Sequence, residues 1–305
     1  MDPILIFERL APDWPNREAS RFVRAGGMRW HVQEMGPGSE GAPVIVLVHG
    51  TGAATHSWRG LAPMLAREFR VVAMDLPGHG FTDKPTSLRR LSLPAMARGL
   101  GLLLDALDAE PALVVGHSAG AAILARMCLD GLIAPTSLVS LNGAFLPFTG
   151  FAGKVFRPAA QLLAINPLVP RLFANRARDP AVLDRLVGNT GSTLDPEGLA
   201  LYGRLASDHR HVQGALGMMA AWDLEPIARD LPQLGCRLLL VVGAFDRTVP
   251  PSNARRVQSL VPQSRIVTLD RLGHLAHEEA PAAVAALIHE EALATHILAL
   301  ASQPS

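Results

Sequence analysis

Hydrophobic and polar positions divide this chain into three stretches. The first runs to about residue 144 and alternates short apolar runs with longer segments of helical period. Ser20–Arg24 and Met28–Glu34 flank Gly26-Gly27, a glycine pair that suits a hairpin turn. Val44–Val48 (VIVLV), Arg70–Met74, Ala112–Val115 and Ser137–Leu141 read as strands. Such short, continuous apolar runs suit strands buried on both faces of a parallel sheet. Trp58–Arg67, Pro94–Asp108 and Ala119–Leu129 read as helices between them. The second stretch, 145–231, has no strand-like run. Its helix-like patches are separated by Pro147, Pro158, Pro167, Pro170, Pro180, Pro196 and Pro226. The third resumes the alternation with strand Leu238–Val242, helix Asn253–Leu260, strand Ile266–Leu269 and a last helix from Pro281.

This rhythm predicts an α/β fold, with a mostly parallel eight-stranded sheet and helices on both faces. Residues 1–144 and 232–305 form its core. The segment 145–231 enters at the carboxyl edge of the strands, where sheets of this kind bind ligands, so it reads as a helical cap.

Composition narrows the function classes. The 305 residues carry 28 basic and 27 acidic side chains, a formal net charge of +1. No basic field exists to hold nucleic acid. The two cysteines, Cys128 and Cys236, belong to no CxxC or Cys/His cluster, so no disulfide framework, metal site or metal cofactor is expected. The N-terminus lacks the basic start and long apolar run of a secretory signal. The longest uncharged stretch, 131–153, is broken by Pro135, Asn142 and Pro147 and does not read as a transmembrane span. These features predict a cytoplasmic protein, with contact at the periphery of a membrane left open.

The chemistry-bearing residues fall at strand ends. Gly116-His117-Ser118-Ala119-Gly120 fits G-x-S-x-G between an apolar strand and a small-residue helix. A sharp turn there lifts Ser118 Oγ clear of the sheet. A serine hydroxyl needs a base to become nucleophilic. His274, just after the last strand, is the candidate; His277 reads as the start of the next helix. The base needs an acid to orient it, and Asp246 follows the penultimate strand, with Asp223 and Asp270 as competitors. The backbone N–H groups of Thr51 and Ala119 are the candidate oxyanion donors, and His49 reads as a residue that holds the Thr51 loop. Gly50-Thr51-Gly52, with Asp75 after the next strand, mimics a dinucleotide fingerprint, but Thr55 stands where the third glycine belongs. No nucleotide cofactor is therefore expected.

The motifs HGTG (49–52), DLPGHG (75–80), GHSAG (116–120), AFDRTVP (244–250) and LGHLAHEE (272–279) resemble the α/β-hydrolase superfamily in order and spacing. That resemblance implies the α/β-hydrolase fold and a Ser118-His274-Asp246 triad. Some members carry the acid after the sixth strand. Here that place is near Asn142, which cannot be anionic. The segments 13–33, 49–63, 116–127, NPLVPRLFA (166–174) and MMAAWDL (218–224) are similar to the magnesium chelatase accessory proteins of bacteriochlorophyll biosynthesis. The narrower likeness implies a role near magnesium insertion into a tetrapyrrole and magnesium chelatase subunits as partners. The cap is rich in apolar side chains, and Phe145, Phe148, Met218, Met219 and Trp222 are its candidate ligand contacts. Arg157, Arg171, Arg176 and Arg178 could anchor ligand carboxylates. The expected substrate is an apolar small molecule, a tetrapyrrole being one that fits.

Overall fold

The computed structural model describes residues 7–8, 11–37, 41–147 and 168–298. β1 (Ser20–Ala25) and β2 (Met28–Met35) form a hairpin. β3 (Val44–Val48) leads through α1 (Ala62–Leu65) to β4 (Arg70–Met74). From there α2 (Leu93–Ala106) leads to β5 (Pro111–His117), and α3 (Ala119–Leu129) to β6 (Ser137–Leu141). Within the inserted segment lie α4 (Leu168–Arg176), α5 (Pro180–Gly188), α6 (Pro196–Ser207) and α7 (His209–Ala221). After α8 (Glu225–Asp230) come β7 (Arg237–Gly243), α9 (Ser252–Leu260), β8 (Arg265–Leu269), α10 (Ala276–Glu279) and α11 (Pro281–Ala294).

One eight-stranded sheet results, ordered β1-β2-β4-β3-β5-β6-β7-β8. β1 with β2 and β2 with β4 are antiparallel; every other pairing is parallel. The central strands show why their apolar runs are continuous. Val46, Val48, Val72, Met74, Val114, Leu138 and Leu240 face the core under α2 and α3. Their neighbours Ile45, Leu47, Val71, Ala73, Leu113, Val139 and Leu239 face the opposite core, with Trp58 and Ile288 of α11. Alternate side chains on a strand point to opposite faces, so a strand covered on both sides is apolar at nearly every position; in β6 the exceptions are the buried Ser137 and Ser140.

The structure departs from the sequence reading over Trp58–Arg67. A 3-10 turn at Thr55–Trp58 and the four-residue α1 replace a continuous helix. Gly60 and Pro63 interrupt it, and Gly60 packs so closely on Pro281 that a Cβ would lie 3.0 Å from the ring. Both cysteines are free, and their sulfurs lie 3.9 Å apart. Beyond α7 the chain rejoins the sheet layer: Leu224, Ile227 and Leu231 belong to the α3-side core, and Arg126 of α3 pairs with Asp230. Among the described residues no helix is long and apolar enough to cross a membrane.

Candidate active site

Ser118 occupies the turn between β5 and α3 with φ 51° and ψ −116°, a conformation that costs a residue with a Cβ about 1–3 kcal/mol. The flanking glycines make the turn possible. A Cβ on Gly116 would lie 2.4 Å from Ala121 N, and one on Gly120 would lie 2.1 Å from Val48 O. Gly120→Ala must therefore push α3 off β3. It should cost about 3 kcal/mol, read as a lower midpoint in urea denaturation; an unchanged midpoint would contradict this packing.

His274 lies in the loop after β8 and Asp246 in the loop after β7, so the parallel order of β5, β6, β7 and β8 brings Ser118, Asp246 and His274 to the same edge. Asp246 is buried and accepts four hydrogen bonds. Its Oδ2 takes His274 Nδ1–H at 2.8 Å and Asn142 Nδ2–H at 2.7 Å, and its Oδ1 takes Thr248 N–H at 2.7 Å and Val249 N–H at 2.9 Å. With Nδ1 as donor, Nε2 of His274 is the ring acceptor. Ser118 and His274 both line one cavity. Among the described residues no hydrogen bond joins the Ser118 hydroxyl to His274; contacts of this kind tighten when substrate binds. Asp270 is exposed, and Asp223 accepts from Glu225 N–H at the start of α8. His277 is buried against Trp58 and His117 with neither ring nitrogen hydrogen-bonded. Burial drives its pKa down to about 3.

His117, inside the GHSAG motif, escaped the sequence reading. Its Nε2–H donates to the His274 carbonyl at 3.0 Å, which ties the two loops together. Burial, reinforced by His277 and His274, holds its pKa well below the usual value. Asn142 likewise has a part that only coordinates could assign, as a donor to Asp246. His49 locks the Thr51 loop: Nδ1–H donates to Gly50 O at 2.7 Å and Nε2 accepts Leu76 N–H at 2.9 Å. The second bond requires the neutral ring, and burial brings its pKa to about 4. Among the described residues, the turn and loop hydrogen bonds include none donated by Thr51 N–H or Ala119 N–H. Both groups belong to residues that line the cavity, the second at the positive end of α3. Asp75 offers nothing to a ribose: it is fully buried and accepts from His31 Nδ1–H, Thr55 N–H and Phe81 N–H.

The cavity measures about 460 Å³, and no charged side chain lines it among the described residues. Leu183 and Val187 of α5, Leu216 and Met219 of α7, and Trp222 form much of its wall. Met219 and Trp222 thus reach the cavity. Phe145 and Met218 do not; they are packed in the core, with Met218 Sδ accepting Thr51 Oγ1–H at 3.5 Å. Phe148 and Arg157 lie outside the described residues. Arg171, Arg176 and Arg178 are exposed and away from the wall. Polar contacts from α6 and α7 help seat the insertion on the core. His211 Nε2–H donates to Gly52 O at 3.1 Å while its Nδ1 accepts Gly80 N–H at 3.0 Å. Tyr202 O–H donates to Glu278, which also pairs with Arg59. No group of three or more His, Cys, Asp or Glu among the described residues could hold a metal ion.

A strand-end serine in a strained turn, a carboxylate-paired histidine and an inserted helical segment over them define an α/β-hydrolase architecture, and the chain belongs to the α/β hydrolase fold family, whose model matches residues 43–281. Within that family it groups with the magnesium-chelatase 30 kDa subunit of Rhodobacter capsulatus, with 38% identity over 292 residues, covering 94% of this chain and 98% of that protein. It is 32% identical to the dihydrolipoyllysine-residue acetyltransferase component of the acetoin cleaving system of Pseudomonas putida, over 86% of this chain and 66% of that one. An α/β hydrolase fold protein from Burkholderia ambifaria superposes with a TM-score of 0.73 at 25% identity, covering 89% of this chain and 97% of that one.

Proposed function

We propose that the protein is a serine hydrolase of tetrapyrrole metabolism. It would cleave an ester or related acyl bond in an apolar ligand at the magnesium-chelation step of bacteriochlorophyll synthesis, with magnesium chelatase subunits as partners. One observation carries the chemistry: the Ser118 turn and the His274–Asp246 pair open onto one apolar cavity. The pathway assignment rests on the similarity to the R. capsulatus subunit. Ser118 Oγ attacks the acyl carbon while His274 Nε2 takes its proton. Thr51 and Ala119 N–H hold the oxyanion. His274 then protonates the departing alcohol, leaving an acyl-serine. Water, deprotonated by His274, releases the acid and restores the serine. Asp246 keeps the ring in the Nδ1–H form throughout. The ligand's apolar body meets Leu216, Met219 and Trp222, and any carboxylates stay outside the charge-free wall. The reading places the protein in the cytoplasm, at the periphery of a membrane.

A second reading has the cavity bind a porphyrin without cleaving it; the charge-free apolar wall favours it. A complementation assay in a bacteriochlorophyll-producing host lacking this protein separates the two. Hydrolysis predicts that Ser118→Ala fails to restore pigment and that one intermediate accumulates. A mutant that restores pigment and binds protoporphyrin as wild type does would overturn the hydrolytic reading.

A further inference from the structure

Past their last paired residues, Gly243 and Leu269, β7 and β8 have no ladder left to hold the loops that bear Asp246 and His274. The two loops touch each other through Ala244 N–H to Leu269 O and Phe245 N–H to Leu272 O. Asn142 and His117 hold them from the ends of β6 and β5, and a further set of contacts comes from the inserted segment, in the turn 190–193 that follows α5. Thr190 O accepts Arg247 N–H at 3.1 Å, next to the acid. Ser192 Oγ accepts Leu275 N–H at 2.8 Å, next to the base. Thr193 N–H donates to Glu279 Oε2 at 3.1 Å, and Glu279 Oε1 takes Gly273 N–H at 2.9 Å, on the base's other side. Gly191, at φ 86°, approaches so closely that a Cβ would lie 1.9 Å from Phe245 O; a Cβ on Gly273 would lie 2.3 Å from Gly191 C. The turn therefore touches both neighbours of Asp246 and both neighbours of His274.

We infer that this turn, with Ser192 at its centre, is a positioning clamp that sets the alignment of His274 on Asp246. The inference rests on the hydrolase reading for its kinetic consequence. Ser192 is 3% exposed, so its oxygen has no solvent role to play. α5 connects the clamp to the ligand: Leu183, Leu186 and Val187 line the cavity, and the helix ends at Gly188, two residues before the turn. The clamp contacts are already made in the structure, so the alignment of His274 is set by the fold before any ligand enters.

The test uses Ser192→Ala and Ser192→Thr in the full chain, with Glu279→Gln as an independent break. The amide keeps its shape but has one acceptor oxygen for two N–H groups. With an activated ester whose acyl chain fills the cavity, Ser192→Ala should lower kcat about tenfold with KM within about twofold. Ser192→Thr, which keeps the oxygen, should recover most of the loss. Proton NMR should show the downfield His274 Nδ1–H resonance of the wild type broadened or exchanging faster in Ser192→Ala and in Glu279→Gln. If both variants keep the wild-type kcat and resonance, or lose only melting temperature, the clamp is refuted. The resonance needs no turnover. A wild type without Ser118-dependent hydrolysis would sink the hydrolase reading, while the resonance would still report whether the turn holds the ring.

Discussion

Ser118→Ala should lower turnover of an activated ester by about 10³-fold or more and abolish labelling by a fluorophosphonate. Melting temperature should barely move. The Ser118 hydroxyl makes no hydrogen bond among the described residues, and alanine meets the same positive-φ strain as serine. Truncation therefore removes a nucleophile and almost nothing else. His274→Ala and Asp246→Asn should each fall well below wild type, and neither should add its full effect to Ser118→Ala, because a base without a nucleophile has nothing to activate. Asp246→Asn has a further signature. The side-chain amide still accepts from Thr248 and Val249 through one oxygen, but its NH2 faces both Asn142 Nδ2–H and His274 Nδ1–H. The ring must shed the Nδ1 proton to accept, so Nε2 becomes a donor and no longer a base. Undiminished labelling in Ser118→Ala would remove the hydrolase reading altogether.

The fold was legible because burial on two faces leaves a plain signature. VIVLV at 44–48 and SLVSL at 137–141 have few other uses, and their alternation with helices dictated a parallel sheet. The place of Ser118, Asp246 and His274 followed from topology: each stands just past the carboxyl end of a strand in that sheet. Residues whose partners are distant could not be placed this way. Whether an apolar side chain lines a cavity or fills a core depends on a rotation of one helical step. Met218 and Met219 are adjacent in α7, yet the first is core and the second cavity wall. Histidines with distant partners were opaque too. His211 joins Gly52 and Gly80 across more than 130 residues, and nothing local announces it. Gly191 and Ser192 belong to no motif; only the close approach of 245 and 273 gives them a purpose. Gly60 and Pro63 did announce a break in the helix expected at 58–67, through known local rules.

Acid should unfold this protein at a pH above the range of ordinary carboxylate titration, because it buries neutral imidazoles in unusual number. His49, His56, His79, His117, His211 and His277 are all buried, and burial lowers the pKa of each. An unfolded histidine titrates near 6.5. Below that pH the unfolded chain binds protons that the folded chain refuses, so stability falls as pH drops and each contribution is lost through the folded-state value. The window runs from about 6.5 down to about 4 for His49 and about 3 for His277. At 1.36 kcal/mol per pH unit these two alone amount to about 3 and about 5 kcal/mol. That rivals the whole stability of a typical domain, about 5–15 kcal/mol. Glu278 opposes them. Burial raises its pKa to about 7; its contribution is full below about 4.5 and is lost as pH rises through 7, so on acidification it returns stability. One carboxyl against six imidazoles does not reverse the balance. Tryptophan fluorescence and near-ultraviolet circular dichroism should show cooperative unfolding between about pH 6 and pH 4. The variant that checks the cause is His277→Leu, since neither ring nitrogen has a hydrogen bond to lose. It should move the acid midpoint downward by several tenths of a pH unit. A wild-type midpoint below pH 3, or one that ignores this substitution, would mean that the imidazoles are protonated without cost and that the carboxylates alone set the acid limit.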